Sequence, residues 1–403
     1  MTNQDMFQAM LGRATRRRFL QRAGALGVGA LAAPGLLAGC GDDDTPDEAA
    51  DSSQGTGPAK VPKATGRIDY LSWEGYDIPD ALKGWEKANK LQVKTNYIAT
   101  HDDIQAKIKA AGAGGGYDII TYYQGYKPLY AQLKILEPID PQKLPNLDNL
   151  ADYWKGDLGG FWVDPDGTRT GVPWTWTTLG VTNDAAKIEP PGSYYDLLDA
   201  KFKGKVAVVD DPVGGFTLAS HILGMKPDEV KKADHAKVSD LLAQMIAQST
   251  GVSPSFGDMT TKLTSGDAVV CFQGWTAMNQ FAADAGTKTV KTVFPKEGGF
   301  TSCDCWAIPT TADNADAAYG WINESLDPKV HAAAADYVVG GVTVDAAYSQ
   351  CSKAVQKLYP IDKLQQSLEV APLYNNPPVE SDEFVTFEEV QKSWQGLKAG
   401  GKG

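Results

Sequence analysis

The chain has 403 residues, with 50 Asp and Glu against 38 Lys and Arg, for a net charge of −12. Such an acidic balance argues against nucleic acid and anionic lipid surfaces as partners and leaves cationic ligands open. Four histidines and five cysteines are too few for a His-rich metal cluster or a disulfide-dense scaffold.

The first segment is Thr15-Arg16-Arg17-Arg18-Phe19-Leu20, followed by an apolar run over 23–37 and then Leu37-Ala38-Gly39-Cys40. A twin arginine before Phe-Leu resembles a twin-arginine export signal, and Leu-Ala-Gly-Cys resembles a bacterial lipobox. The run is about fifteen residues long, short of the roughly 20 that span a bilayer, so it reads as a cleavable signal behind a basic start. The expectation is export through the twin-arginine pathway, acylation of Cys40, and residence at the outer face of the cytoplasmic membrane or in the periplasm. Removing residues 1–39, with five arginines and one aspartate, takes the rest from −12 to near −16. Residues 40–65 hold Asp42, Asp43, Asp44, Asp47, Glu48 and Asp51 without apolar periodicity and read as an acidic, disordered linker. No later stretch approaches a membrane span.

From residue 66 the pattern alternates. A strand is expected over 67–72, an amphipathic helix over 78–88 and a strand over 92–99. A helix opened by Thr100 and Asp103 should run to 111. A strand over 117–122 and a helix over 127–133 complete this unit. A second unit starts near Val172-Pro173-Trp174, with strands over 205–209, 268–272 and 289–294 and a helix over 238–248. Alternating β and α elements imply a sheet covered by helices, with ligands bound beyond the carboxyl ends of the strands. That places the loops 73–76 and 122–126 at a site. Cys271, Cys303, Cys305 and Cys351 fit structural disulfides or buried thiols, and Cys303 and Cys305 should point away from Asp304 on a strand.

Several segments, taken in order, carry a resemblance. They are Tyr70-Leu-Ser-Trp73-Glu-Gly-Tyr76, Tyr117-Asp-Ile-Ile120, Val172-Pro-Trp-Thr-Trp176, and Phe202-Lys-Gly-Lys205 running into Asp210-Asp211. Gly266-Asp267 into Trp275, Phe294-Pro-Lys-Glu-Gly-Gly299 and Trp306-Ala-Ile-Pro309 complete the series. The set resembles the extracellular solute-binding proteins of ABC importers, in particular the spermidine/putrescine-binding branch. The resemblance implies an α/β fold: a type II-like periplasmic-binding-protein clamp of two lobes, each a mixed sheet flanked by helices, joined by two or more hinge crossovers near Trp174–Trp176 and Cys303–Cys305. The lobes would be 66–175 with 304–345, and 176–303 with 346–400. It further implies a monomeric receptor, not an enzyme and without cofactor, passing a putrescine- or spermidine-like cation to a permease and its ATPase.

Carried over by position, the resemblance assigns ligand contacts to Trp73, Tyr76, Tyr123 or a neighbour among Tyr122 and Tyr126, Asp211, Trp275 and Asp304, with Asp258 as an added carboxylate. Departures are Gly214 in place of an acid, Ser302 in place of a tryptophan and Gly341 in place of a tyrosine. Each residue also has a structural reading. Trp73, Tyr76 and Trp275 could pack lobe surfaces, Asp211 could cap the next helix, Asp304 could join a salt bridge, and Asp258 could flank the helix over 259–263. Trp174 and Trp176 read as hinge packing. The Tyr122-Tyr123 pair also fits a ferric-ion clamp, and a sugar or an amino acid derivative would use similar aromatics. Gly-x-Ser-x-Gly, His-Glu-x-x-His and P-loop motifs are absent, which disfavours a secreted enzyme.

Overall fold

The computed structural model describes residues 60–400 apart from 99–103, 105, 109, 111–115 and 157. The signal, the apolar run, Cys40, most of the acidic linker and the Thr100–Asp103 helix start lie outside the described residues.

The sheet contains β1 (Gly66–Ser72), β2 (Leu91–Tyr97), β3 (Ile119–Tyr123), β4 (Val172–Asp184) and β5 (Val206–Val209). It continues with β6 (Ser249–Ser253), β7 (Val270–Trp275), β8 (Val290–Val293), β9 (Phe300–Ala307) and β10 (Gly341–Val342). The path is β2-β1-β3-β9-β4-β7-β5-β6, with β8 and β10 also on β4. β1 runs parallel to β2 and β3, and β5 parallel to β6 and β7. Parallel strands need helical crossovers that cover both faces, so their centres read as apolar runs. The buried tetrad Val206-Ala207-Val208-Val209 and the buried pair Ile119-Ile120 show this.

Between the two parallel groups lie the antiparallel strands β9 and β4. Both cross from one core to the other. Trp174 and Trp176 of β4, and Cys303 and Cys305 of β9, lie in a core with Tyr70, Ile120 and Trp321. Leu179 and Val181 of β4, and Phe300 of β9, lie in a second core with Phe216, Phe272 and Trp394. A smaller core under Ala207, Met259 and Cys271 covers the other face of the second group. Buried residues from Val355 to Leu373 join the first core, and those from Val385 to Leu397 the second.

Local chemistry accounts for the element ends. Asp211 accepts from Gly214 N at 2.9 Å and Pro212 follows, so the helix Pro212–Ile222 starts with a side-chain cap and a residue that needs no donor partner. Ser255 caps Phe256–Ser265 in the same way, and Gly266 ends it at φ 90°. All four cysteines in the described residues are free and buried, so the disulfide option is not used. They serve as small apolar fillers, and burial pushes their thiols upward, Cys351 to about 12. Cys303 and Cys305 are fully buried while Asp304 between them is partly exposed, as strand alternation requires.

Candidate functional site

Two parallel pairs, β1 with β3 and β5 with β7, flank the crossing strands, and the residues after or at their carboxyl ends carry the chemistry: Trp73 and Tyr76 after β1, Tyr123 closing β3, Asp211 after β5, and Trp275 closing β7. This is where open α/β sheets bind ligands. Asp304 arrives from the crossing strand β9. Its register pairs it with Tyr123 on one side and Thr175 on the other. Directly opposed residues project to the same face, so Tyr123, Asp304 and Thr175 share one surface.

The hydroxyl of Tyr76 donates to Asp304 Oδ2 at 2.8 Å. Burial raises the Asp304 carboxyl to about 7, and the Tyr76 hydrogen bond only partly offsets this. Tyr76 is held in turn by an edge-on contact with Trp174, with centroids 4.7 Å apart at 90°, and Trp174 stacks on Trp306 at 5.0 Å and 9°. Trp174 and Trp176 are 0 % and 3 % exposed, so both support the site from within the fold.

Asp211 combines two roles. Its Oδ1 caps the helix through Gly214 N, and its Oδ2 accepts from Gln273 Nε2 at 2.9 Å. Burial raises its pKa, while the cap and Gln273 pull it back. A Cβ on residue 214 would stand 2.1 Å from Asp211 Oδ2 and 2.3 Å from Gln273 Nε2. Glycine at 214 is therefore what lets the carboxylate fold onto the helix start. Neither Asp211 nor Asp304 forms an ion pair among the described residues. Two largely desolvated carboxylates without a cation are costly unless a positive charge joins them.

Tyr123 stands between them. Its phenol is kept protonated first by burial, then by the charge of Asp211, with Asp304 adding to it. Tyr123 Oη donates to Asn376 Oδ1 at 2.8 Å. Tyr126 is buried behind Tyr123, edge-on at 4.9 Å, and Tyr122 is fully buried against Tyr130. Among the three tyrosines the exposed register thus falls on Tyr123. Tyr122 and Tyr123 project to opposite faces of β3, which separates the pair expected of a ferric-ion clamp.

Trp275 is partly exposed; its Nε1 donates to Thr177 Oγ1 at 2.6 Å and its ring meets Phe256 and Phe281. Trp73 is partly exposed against the first core. Asp258, in the first turn of Phe256–Ser265, pairs with Lys262 Nζ at 3.2 Å, so its charge already has a partner.

Three amides were not legible as site residues. Gln273 holds Asp211, and Asn376 holds Tyr123. Gln124 accepts from Cys303 N at 2.8 Å and donates to the carbonyls of Thr301 and Tyr374, tying three segments beneath the site. A lone glutamine in a strand has no spacing to mark it. The Asn375-Asn376-Pro377-Pro378 loop was the one local signal near Asn376. Tyr76, Asp211, Tyr123 and Asp304 come together; Asp258 stands apart in an ion pair of its own.

A family model for bacterial extracellular solute-binding proteins matches residues 80–359. The chain is 24 % identical over 352 residues to the putrescine-binding periplasmic protein SpuD of Pseudomonas aeruginosa, covering 83 % of this chain and 92 % of that protein. It is 27 % identical to the spermidine/putrescine-binding periplasmic protein of Escherichia coli over 268 residues, 65 % of this chain and 73 % of that one. Among solved structures, the Tp0655 (TpPotD) lipoprotein of Treponema pallidum superposes with a TM-score of 0.69 at 19 % identity, covering 82 % of this chain and 99 % of that one. The spermidine/putrescine ABC transporter substrate-binding protein PotD of Streptococcus pneumoniae does so at 0.66 and 19 %, covering 83 % and 98 %. The fold is that of the two-lobed periplasmic binding proteins, and the chain belongs to the bacterial extracellular solute-binding proteins.

Proposed function

We propose that this protein is a lipid-tethered receptor that captures a small cationic solute, polyamine-like, in the cleft between its lobes and delivers it to an ABC permease. The observation that carries the reading is the pair of largely desolvated carboxylates, Asp211 and Asp304, without cation partners among the described residues and with Tyr76 and Tyr123 beside them. An amine head on each carboxylate contributes roughly 1.5–3 kcal/mol. Each aromatic face over a cation adds about 0.5–2 kcal/mol. Such an inventory reaches the roughly 8.2 kcal/mol of micromolar binding. The names of its relatives support the same ligand class. Export and acylation at Cys40 rest on the twin-arginine and lipobox segments.

The two cores support a first lobe built on 66–176 and 303–345, and a second that takes β4 from Leu179, β9 up to Phe300 and the helix Phe387–Lys398. The reading assigns Val355 through Leu373 to the first lobe, where the resemblance implied 346–400 in the second. Closure would be a hinge motion in β4 and β9.

The test is a thermal-shift panel of putrescine, spermidine, other amines, amino acids, neutral sugars and ferric ion. Ligand at a hundred times Kd stabilises by about 2.7 kcal/mol. Linear amines should raise Tm most. Stabilisation by sugars with none by amines would overturn the ligand class.

A further inference from the structure

The residues of the proposed amine site share one face of β4 and β9, because Asp304 pairs with Thr175. Trp176 and Thr178 alternate with Thr175 and Thr177 and so project to the other face. There they line a cleft of about 410 Å³ that contains none of the residues assigned to the amine. Its walls come from three places. One is β4, one is the 276–294 stretch with Lys288, Lys291 and Phe294, and one is the helix Lys353–Leu358 with Lys357.

The chemistry of this cleft is opposite to that of the amine site. Three lysines line it and no carboxylate does, in a chain of net charge −12. Lys291 Nζ donates to the Lys288 carbonyl at 3.0 Å, which brings its ammonium beside residue 288 on one wall while Lys357 stands on another. Among the described residues none of the three forms an ion pair, although lysines elsewhere on the surface are paired repeatedly. Asp284, next to the lining residue Ala283, accepts from Gln280 Nε2 at 2.7 Å. Phenyl surface is also present: Phe294 is 37 % exposed, and the buried Trp176 forms the floor behind it. A cleft of this size falls in the range of small-molecule sites, and fixed cations around an apolar wall select an anion with a flat apolar body.

We propose that this cleft is a second binding site, for a small aromatic carboxylate, lying outside the solute site on the opposite face of the crossing strands. The two cationic walls belong to different cores, since Val290 of β8 lies with Met259 and Val355 of the helix lies with Trp176. A dianion held by Lys291 and Lys357 together therefore bridges the two halves of the fold at the strands that join them.

The probe is isophthalate, titrated calorimetrically into the full mature chain at low ionic strength, with benzyl alcohol as the neutral counterpart. The expected result is saturable one-site binding that weakens as sodium chloride is added, with no saturable binding of benzyl alcohol. Lys291→Gln with Lys357→Gln should weaken isophthalate at least tenfold, whereas Lys83→Gln, on a remote helix, and Asp304→Asn should leave it unchanged. All three lysines are exposed, so the double variant keeps its cores, and an unchanged thermal melt reports that it is folded. Absence of saturable isophthalate binding would overturn the proposal, and so would equal binding by the double variant. Loss of isophthalate binding in Asp304→Asn would also overturn it, by placing the anion in the solute site. Failure of the amine reading alone leaves this outcome intact, because no readout of the anion uses the amine.

Discussion

Tyr76 and Asp304 stand 228 residues apart in the chain and meet through a 2.8 Å hydrogen bond at the carboxyl ends of the strands. The phenol gives the carboxyl a side-chain donor, which does not outweigh the desolvation that raises it to about 7. Asp304 is therefore poised to ionise when a cation arrives.

That poise fixes a pH dependence. An amine head binds the ionised carboxylate, so below about 7 binding must release a proton from Asp304. Putrescine affinity should rise with pH up to about 7 and then level, by as much as about tenfold per unit on the acid side. Calorimetric heats at pH 6 should depend on the buffer's ionisation enthalpy. A flat affinity from pH 5.5 to 8 would remove Asp304 from the contact. Ligand-free stability moves the other way. The folded pKa lies above the unfolded value near 3.9, so this group's contribution is complete below about 4 and is lost as pH rises through about 7.

His331 titrates in the opposite sense. It is fully buried, with Nδ1 against the Ser325 carbonyl at 3.1 Å and Nε2 accepting from Thr343 N at 3.3 Å, and burial lowers it to about 4. Its folded pKa lies below the unfolded value near 6.5. Its contribution is present above that value and is lost as pH falls toward 4. His331→Leu should reduce that acid-side slope in denaturant titrations and cost about 1–3 kcal/mol at neutral pH, because Thr343 N–H loses its acceptor. An unchanged slope between pH 6.5 and 4 would show that another group sets it.

Asp211→Asn and Asp304→Asn should each weaken amines by about 1.5–3 kcal/mol, tenfold to somewhat over a hundredfold, since each removes one charge-assisted hydrogen bond. Asp258→Asn should change affinity little, because Lys262 already neutralises that carboxylate. Calorimetry with putrescine separates the three, and wild-type affinity in both of the first two variants would dismiss the site.

Gly214→Ala should be harmful for a reason unrelated to charge. The added Cβ would stand 2.1 Å from Asp211 Oδ2, so the carboxylate must leave either its helix cap or Gln273. The expected cost is about 1–3 kcal/mol of stability, the range for an overpacked position, together with weaker amine binding. Circular-dichroism melts and calorimetry report the two effects. A variant with wild-type Tm and affinity would mean that Asp211 relaxes freely.

Export is tested on the precursor. Arg16→Lys with Arg17→Lys should leave it in the cytoplasm. Cys40→Ala should release the mature protein from membranes on fractionation, since an acyl chain contributes about 0.8 kcal/mol per buried methylene. A Cys40→Ala protein that still sediments with membranes would rule out a lipid anchor at Cys40.

The linear sequence determined the local elements. Short, β-branched apolar runs such as Val206-Ala207-Val208-Val209 read as buried strands, and observed strands begin or end within about two residues of the expected bounds for β1, β2, β3, β5 and β8. It also determined the residue types after β1 and β5, because Trp73, Tyr76 and Asp211 sit where segments with their own turn and cap chemistry place them. Tertiary structure decided what those residues do. The register of β9 between β3 and β4 brings Asp304 beside Tyr123 and Tyr76, and strand register across hundreds of residues is set by burial of whole faces, which no local window contains. The same pairing selected Tyr123 over Tyr122 and Tyr126, left four cysteines as free thiols, and recruited Gln273 and Asn376, whose amides acquire a role only when a distant carboxylate or phenol is folded against them.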